Sequence, residues 1–554
     1  MPTNNQNKQD TQKRILLATL ISFVFFIAYD FLYLQPQQQA QVEYAKAHPT
    51  KTSENVNVNT SNAPSVNTTT ATISNNAIPN IKEISKEAII STITTKNSIY
   101  EIDSLGRIAQ VTLRESKYVD NDGKSLKLFN STQLRPLEVR FADVALNKKA
   151  FQTAVTVDNK SLSVQNGSKV LVITQNLGTT VLTKKIEFFE DGHYKLNIST
   201  SNNQNYFLTP GFRPDISADM YADHGALLIK GDGTLSIIED EDMDNATELV
   251  GIQAASAFDR YYTTVLYNFE KNMQVSVMKS KDDSPESFIH VANTATLYGY
   301  AGPKEYNLLK SFNPKLTDII EYGWFTFLAK PMFLMLQSIH DMVGNWGWAI
   351  IVTTILLKLV LSPLSHKGMV SMNRLKELAP KIKEIQEKNK DDKQKSSMQM
   401  MELYKKEGAN PMGGCLPIIL QIPIFFAIYR VLLNSIELKG AEWIWFVQDL
   451  THKVSMSNLL DPYIIIPILM GATMFVQQKI TPNQMQDETQ RKMFMMLPFI
   501  FTIFFIFFEA GLVIYWTINN VFTISQQYYI NKMFETKREE RAKAHNARKS
   551  QKGK

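Results

Sequence analysis

The apolar positions of this chain follow two patterns, with long runs near its ends and short alternating segments between them. The first long run, residues 15–34, follows the basic pair Lys13 and Arg14. A run of ~20 apolar residues crosses a hydrocarbon core of ~30 Å, whereas the apolar part of a cleaved signal peptide has ~7 to 15 residues. The pattern therefore favours an uncleaved transmembrane signal anchor over a signal peptide, with residues 1–14 in the cytoplasm.

The next two segments differ from each other in texture. Residues 35–85 are rich in Gln, Asn, Thr and Ser and carry few large apolar groups, which predicts a disordered linker. From 86 to 318, short alternating strands are separated by turn signals such as Asn166-Gly167, and residues 187–198 form the clearest hairpin pattern. Many short strands without a βαβ rhythm predict a large all-β sandwich in the periplasm.

The last part of the chain returns to long apolar runs. Residues 319–342 are aromatic but interrupted by Lys330-Pro331, which predicts an interfacial amphipathic helix. Residues 343–530 hold five candidate transmembrane helices, and the anchor makes six. The fold class predicted is thus a polytopic α-helical membrane protein carrying a periplasmic sandwich. The five candidate spans are residues 346–364, 413–433, 459–476, 493–508 and 512–530.

Charge is distributed unevenly around these spans. Residues 365–411 hold eleven Lys or Arg against seven Asp or Glu, and the tail 531–554 holds nine against three. Because cytoplasmic loops carry the excess of basic residues, both segments and both termini are predicted to be cytoplasmic. Apolar residues three to four positions apart in 365–411, with a polar turn at 389–392, predict a helical hairpin. Its methionines either bind emerging apolar segments or simply pack the two arms together.

Composition narrows the chemistry. The 44% apolar and 20% charged residues, with a mean hydropathy of −0.17, exclude collagen-like, coiled-coil and wholly disordered proteins. The single cysteine, Cys415, excludes an intrachain disulfide framework and a zinc site of several thiolates. The eight histidines lack metal-binding spacing, and no complete P-loop or nucleophile elbow occurs. The sequence therefore predicts no metal, no cofactor and no enzymatic activity.

Lys358 is the unusual residue of the candidate spans. Placing a lysine at the centre of a span costs ~2.5 to 3.5 kcal/mol. Its stem could instead snorkel towards the cytoplasmic headgroups, over the ~12 Å that separates it from His366. Against that alternative, Thr354, Lys358 and Ser362 share one helix face. Polar residues on several spans favour a wetted cavity, although each alone is compatible with helix–helix hydrogen bonding. They include Gln421, Thr502, Trp516, Asn520 and Gln527.

Several of these segments carry a resemblance to a known family. Residues 350–364, 410–425, 467–474 and 511–516 resemble the YidC membrane protein insertase family in its Gram-negative form with a large periplasmic domain. The strong match covers roughly residues 320–530, and the anchor and sandwich agree in layout. The resemblance implies a five-helix core around a hydrophilic groove that is open to the cytoplasm and to lipid.

The resemblance also implies roles for single residues. The family's groove cation, usually arginine, falls on Lys358, which keeps the charge but loses the planar guanidinium fork. The expected substrate groove consists of Thr354, Lys358, Ser362, Gln421, Trp516 and Asn520, of which Ser362 and Asn520 come from the polar pattern of the spans and not from the resemblance. The expected hydrophobic core that contacts clients consists of Phe425, Met470 and Phe504.

The function implied is the insertion, folding and assembly of integral inner-membrane proteins without nucleotide hydrolysis. A solute transporter or channel is the alternative, but it should show an ion-coupling carboxylate at mid-membrane, and Glu509 is predicted at a turn. An envelope carbohydrate-binding protein would leave Lys358 unexplained. Expected partners are nascent membrane proteins, membrane lipids, the ribosome through the basic tail and cytoplasmic loops, and the Sec translocon. The clients, the use of Sec, the oligomeric state and the ligand of the sandwich stay open.

Overall fold

A computed structural model describes most of the chain from residue 88 to residue 552. The cytoplasmic N-terminus 1–14, the anchor 15–34 and the linker 35–85 predicted from the sequence lie outside the described residues. The description also omits residues 121–122, 131, 215, 217–222, 241, 244, 281–282, 391, 409–415, 455–459 and 482–487.

The first half of the described chain is built from β-strands, as the alternating pattern predicts. One short helix, α1, interrupts them at Val144–Gln152, where the Asp143 side chain accepts the backbone N–H of Leu146. The strands are Ile89–Thr94 (β1), Ser98–Asp103 (β2), Ile108–Leu113 (β3), Val139–Phe141 (β4), Thr156–Val157 (β5), Ser161–Ser163 (β6), Ser168–Asn176 (β7), Val181–Phe189 (β8), Tyr194–Thr200 (β9), Asn205–Leu208 (β10), Gly225–Lys230 (β11), Leu235–Glu239 (β12), Thr247–Phe258 (β13), Tyr262–Tyr267 (β14), Met273–Lys279 (β15), Pro285–Ala292 (β16) and Thr294–Pro303 (β17).

These strands form two sheets that share one core. The smaller sheet has the order β3-β2-β1-β6, and the larger runs β4-β10-β16-β15-β13-β14-β17-β9-β8-β7-β5, with β11 and β12 attached at β13. The predicted hairpin is confirmed as β8 and β9, which pair antiparallel around a turn where Gly192 adopts φ +92°. Tyr100 of the small sheet contacts Phe188 of the large sheet at a ring-centroid distance of 5.3 Å. This packing of sheet on sheet makes the domain a sandwich.

The second half is helical. Helices α3 and α6 both pack against the segments that follow the sandwich, and α9 packs along α4 and α7. The helices are Tyr306–Phe312 (α2), Thr326–Val343 (α3), Trp346–Lys388 (α4), Lys393–Lys406 (α5), Leu416–Asn434 (α6), Ile465–Ile480 (α7), Glu488–Phe505 (α8) and Ala510–Lys552 (α9).

Two helices are longer than the sequence predicts. Helix α4 runs from the first core span straight into the first arm of the hairpin, although Pro363 and Pro380 lie within it. A proline removes one hydrogen bond from a helix, and here the apolar periodicity on both sides continues the helix through it. Helix α9 likewise continues from the last span through the basic tail to Lys552. Residues 365–388 and 531–552 are therefore continuous with the spans before them.

Among the residues that the structure describes, two helical segments are long and apolar enough to cross a membrane by length and composition, namely Trp346–Lys388 and Pro462–Ile480. Two shorter apolar stretches, Gln421–Asn434 and Lys492–Phe505, also occur. The total of six spans stays a prediction. Helix α3 corresponds to the predicted interfacial helix and is two-sided, with Leu336 fully buried and Phe327 76% exposed.

The sandwich and the helices meet in a second apolar core. Leu227, Phe258 and Tyr300 of the sandwich belong to the same buried cluster as Leu336 of α3 and Val513 of α9. The ring centroids of Tyr300 and Phe312 lie 5.0 Å apart, so α2 also packs against this second apolar core. The sandwich is therefore packed against the helical region rather than only tethered to it.

Candidate client groove

Lys358 lies within the helical region, on α4. Its side chain is buried, with a relative exposure of 8%, and its Nζ donates a hydrogen bond to Thr523 Oγ1 of α9 at 3.1 Å. Within the described part of the chain, Lys358 has no carboxylate partner. A buried ammonium whose neighbour is one hydroxyl is under-compensated, because a hydroxyl offers only a dipole where a carboxylate offers a full charge.

The two residues predicted to share the face of Lys358 behave differently from each other. Ser362 Oγ accepts a hydrogen bond from Gln526 Nε2 of α9 at 2.8 Å, so this face does lie against α9. Thr354 is buried, but its hydroxyl donates to the Ile350 carbonyl of its own helix at 2.6 Å. The structure thus places Lys358 and Ser362 at the α4–α9 contact, and Thr354 supplies buried surface beside them.

Two further polar pairs join α9 to its other neighbours. Gln421 Nε2 of α6 donates to Asn519 Oδ1 at 2.8 Å. Asn520 Nδ2 reaches Thr473 Oγ1 of α7 at 3.3 Å. Helix α9 therefore carries polar partners for α4, α6 and α7, and it is the common wall of the predicted polar groove.

The predicted apolar residues separate into a packed group and an exposed residue. Phe425 of α6 meets Trp516 of α9 edge to face with centroids 4.9 Å apart, and Trp516 also lies 5.2 Å from Phe505. Met470 of α7 is fully buried in the same cluster. Phe504 is 45% exposed, and its ring lies 5.8 Å from that of Phe505, which belongs to the same cluster. Phe425 and Met470 are thus packed within the helical region, and Phe504 lies at the edge of the cluster with much of its ring exposed.

The sequence reasoning missed three residues that make these contacts. Asn519, Thr523 and Gln526 lie on α9 and partner Gln421, Lys358 and Ser362. Their spacing of four and then three residues places them on one helix face. A search for polar residues at helical spacing within the last span would have found them.

The outer faces of the helices are apolar. Val360 of α4 is 78% exposed, Ile503 of α8 is 62% exposed and Leu469 of α7 is 54% exposed. Large exposed apolar areas are rare on soluble proteins and are expected where helices face lipid. The polar pairs described above lie between helices, and the apolar residues lie outside them.

The hairpin of α4 and α5 places its methionines in two environments. Leu375, Leu378 and Ile382 of α4 pack against an apolar face of α5 that includes Met400. Met398 and Met401 are instead 62% and 52% exposed. One methionine therefore packs the arms together, and two are exposed, so that binding of emerging apolar segments by these two stays a prediction.

Among the described residues, no group of three or more His, Cys, Asp or Glu side chains is placed to hold a metal ion. The arrangement consists of one ammonium, several amides and hydroxyls, and an aromatic wall. Such a set can attract an anion and exchange hydrogen bonds with a polar peptide.

Comparison with known proteins identifies relatives over nearly the whole chain. The family described as 60Kd inner membrane protein matches residues 338–538, and the family described as YidC periplasmic domain matches residues 91–335. A protein of Campylobacter jejuni named membrane protein insertase YidC is 45% identical over 533 residues, which covers 96% of this chain and 98% of the relative.

Two further relatives carry the same name. The protein of Wolinella succinogenes is 44% identical over 537 residues, covering 97% of each chain. That of Helicobacter pylori is 42% identical over 565 residues, covering 96% of this chain and 98% of the relative.

Proposed function

Because the chain belongs to the YidC family of membrane protein insertases, we propose that it inserts, folds and helps assemble inner-membrane proteins through the groove walled by α4, α6, α7 and α9. In this proposal both termini and the hairpin of α4 and α5 are cytoplasmic, and the sandwich is periplasmic. The substrates are nascent membrane proteins, and the surrounding lipid receives them.

The observation that carries the proposal is the under-compensated ammonium of Lys358 beside Thr523. A cation in a low-dielectric surround attracts negative charge more strongly than it would in water. It therefore draws the polar, often acidic, flank of a client segment into the groove. The aromatic wall of Phe425 and Trp516 supports the apolar part of the same segment.

The neighbouring polar pairs suit a transient guest. The amide of Gln421 and the amide of Asn519 each have hydrogen-bonding atoms beyond the one bond they share. A client backbone can exchange with these side chains without leaving a buried group unsatisfied, and exchange of equivalent hydrogen bonds changes the free energy little. The groove thus lowers the cost of moving a polar flank through an apolar layer.

Release into lipid completes the proposed cycle. Burying ~20 apolar residues in hydrocarbon is favourable and offsets the cost of moving a short polar flank, so no nucleotide is required. The exposed apolar faces of α7 and α8 supply a route along which the segment slides sideways into the bilayer.

The test uses the purified full-length protein in liposomes without nucleotide. We expect a small single-span client to become protease-protected in these vesicles, at a rate well above that of protein-free vesicles. Protein-containing vesicles that give only the rate of protein-free vesicles would refute the proposed function. Repeating the assay beside the Sec translocon would show whether the two act together.

We propose that the basic tail 531–554, whose residues up to Lys552 belong to α9, associates with the ribosome by contacting RNA phosphates, with help from the hairpin. Nine Lys or Arg against three Glu give this segment its excess of positive charge. Phosphate contacts release counterions, so binding should weaken steeply as salt rises. Cosedimentation of full-length and tail-deleted protein in detergent at low and moderate salt tests this, and equal sedimentation of both at every salt concentration would contradict it.

A further inference from the structure

Arg260 is a buried cation at the turn between β13 and β14 of the sandwich. Only 5% of its surface is exposed. Asp259 Oδ1 accepts the backbone N–H groups of Tyr261 and Tyr262 at 2.8 and 2.6 Å, which fixes the turn that presents Arg260. The guanidinium of Arg260 therefore extends from the sandwich on a turn that hydrogen bonds hold in place.

The side chain of Arg260 contacts two separate helices. Its Nε donates to the Leu433 carbonyl oxygen of α6 at 2.8 Å. Its Nη2 donates to Glu509 Oε1, and Glu509 is itself 5% exposed and directly precedes α9. One planar guanidinium thus ties the last turn of α6 to the start of α9.

These two helices also meet at the groove. Gln421 and Asn519 form their polar contact, and Phe425 and Trp516 form their aromatic contact. Helices are stiff along their length, so the spacing held at one end sets the spacing further along. Arg260 touches neither groove contact, but it holds the ends of the helices that carry them.

We propose that Arg260 is a positioning residue of the insertase, through which the sandwich sets the spacing of α6 and α9 and hence the width of the groove. This inference rests on the proposed function for its meaning. Its geometric part, the spacing of α6 and α9, is measurable whether or not clients are inserted.

Two nearby ion pairs involve the same helices as Arg260, but each differs from it in what its cation contacts. Lys453 Nζ lies 3.9 Å from Glu509 Oε1 and is 36% exposed, so it gives Glu509 a weaker second cation. Arg430 Nη1 of α6 pairs with Asp223 Oδ2 at 2.8 Å and attaches the sandwich to α6 alone. Of the ion pairs described here, the one made by Arg260 is the one whose cation contacts both α6 and the start of α9.

The experiment measures the α6–α9 distance and insertion in the same preparations. Spin labels are placed at Ile422 and Val521, which are 48% and 44% exposed, after Cys415 has been replaced by serine. For Arg260→Met we expect the label distance to shift or broaden by roughly 2 Å. We also expect client insertion per folded molecule to fall roughly three- to ten-fold.

Two variants separate positioning from stability. Arg260→Met with Glu509→Met leaves neither charge buried alone, so thermal stability should recover while the altered label distance and the reduced insertion persist. Arg260→Lys keeps the charge and should restore much of the insertion. Recovery of distance and insertion together with stability in the double variant would overturn the proposal.

Arg213→Met is the matched control. Arg213 is 9% exposed and pairs with Asp240 at 2.7 Å inside the sandwich. It should lower stability without changing the label distance. An unchanged distance and unchanged insertion in folded Arg260→Met would also overturn the proposal. Failure of the wild type to insert the client, with the label distance still changed in Arg260→Met, would refute only the insertase function.

Discussion

The sandwich and the groove both bury charged side chains, but they compensate them differently. In the sandwich, Asp103 accepts hydrogen bonds from Arg107 Nε at 2.8 Å and from Arg135 Nη1 at 2.9 Å. Glu138 accepts a further hydrogen bond from Arg107 Nη1 at 2.9 Å. In the groove, the ammonium of Lys358 has a hydroxyl neighbour at 3.1 Å. The charges around Asp103 therefore compensate one another within the sandwich, whereas the proposed groove would leave the ammonium of Lys358 available to an anionic guest.

The first way to break this comparison is to reverse the charge in the groove. Lys358→Glu should reduce insertion of a client with an acidic flank by roughly ten-fold or more, because like charges repel strongly in a low dielectric. Lys358→Gln should reduce it less, and Lys358→Arg should retain it. Insertion of matched clients with acidic or neutral flanks into liposomes, at equal amounts of each variant, measures the effect.

Clients with neutral flanks should suffer less in every Lys358 variant. Lys376→Glu is the matched control, since Lys376 lies on the same helix and is exposed, so the same charge change should have little effect there. Equal insertion of the acidic client by Lys358→Glu and wild type would rule out the groove-cation role.

Removing the sandwich tests how far the two regions are independent. The sequence predicts that deleting most of residues 86–300, with the anchor and α3 kept, leaves insertion of a simple client largely intact. The contacts of Arg260 change this expectation: insertion should fall roughly three- to ten-fold, the same fall that is expected for Arg260→Met, and no further. Glu509→Gln in the shortened chain should restore thermal stability by removing a buried carboxylate that has lost Arg260.

Liposome insertion and thermal unfolding of the shortened chain, with and without Glu509→Gln, distinguish these outcomes. Complete loss of insertion in a stably folded shortened chain would mean that the sandwich contributes more than spacing. Insertion equal to that of the full-length protein would support the original expectation and argue against the positioning role of Arg260.

The third prediction concerns Asp103, the centre of the buried sandwich network. Asp103→Asn weakens the attraction for Arg107 and Arg135 inside the domain, and breaking such a buried pair costs about 3 kcal/mol. For a domain of this size that corresponds to a fall of roughly 6 to 12 °C in Tm. Insertion per folded molecule should stay at the wild-type level, and a loss of insertion without a loss of stability would contradict the division between the two regions.

The smallest effect is expected at Glu437, in the turn Ile436–Leu438 after α6. Burial raises the pKa of this carboxyl to about 7. Hydrogen bonds from backbone N–H groups, including that of Tyr306 at 2.8 Å, lower the pKa but do not outweigh burial. The folded state then binds more protons than the unfolded state between the ordinary carboxyl pKa of 4.5 and about 7. Stability is therefore greatest below this window and is lost as the pH rises through it, by about 1 to 3 kcal/mol.

Thermal unfolding of wild type and Glu437→Gln at about pH 5 and pH 8 tests this dependence. The neutral amide should abolish most of the difference between the two pH values. Glu270→Gln, an exposed change in the sandwich, should leave the dependence as in wild type. An identical pH dependence of thermal stability in all three proteins would mean that the Glu437 carboxyl does not contribute to it.

The sequence predicted the architecture well because its signals are local. Alternation and turn residues marked the hairpin of β8 and β9, and long apolar runs marked α4 and α7. Helices α4 and α9 run on beyond the predicted spans because the charged segments that follow are rich in Lys, Arg and Glu, which favour a helix. Lys358 was found because a buried lysine in an apolar run is rare.

The rest of the site depends on contacts between distant parts of the chain. Thr523 is 165 positions from Lys358, and Glu509 is 249 positions from Arg260. Residue patterns report periodicity within one element, but they do not say which faces of two elements meet. The partners of Lys358 and the clamp at Arg260 therefore required the structure.

The continuity of α9 has a mechanical consequence. Its 43 residues form one rod of about 65 Å at 1.5 Å per residue. Trp516 lies near one end of the rod, and the basic residues lie at the other. A sideways force on the basic end exerts a torque about the packed middle of the helix. Such a force therefore tilts the end of the helix that carries Trp516. Helix α9 can in this sense act as a lever that pivots where it packs against α4 and α7.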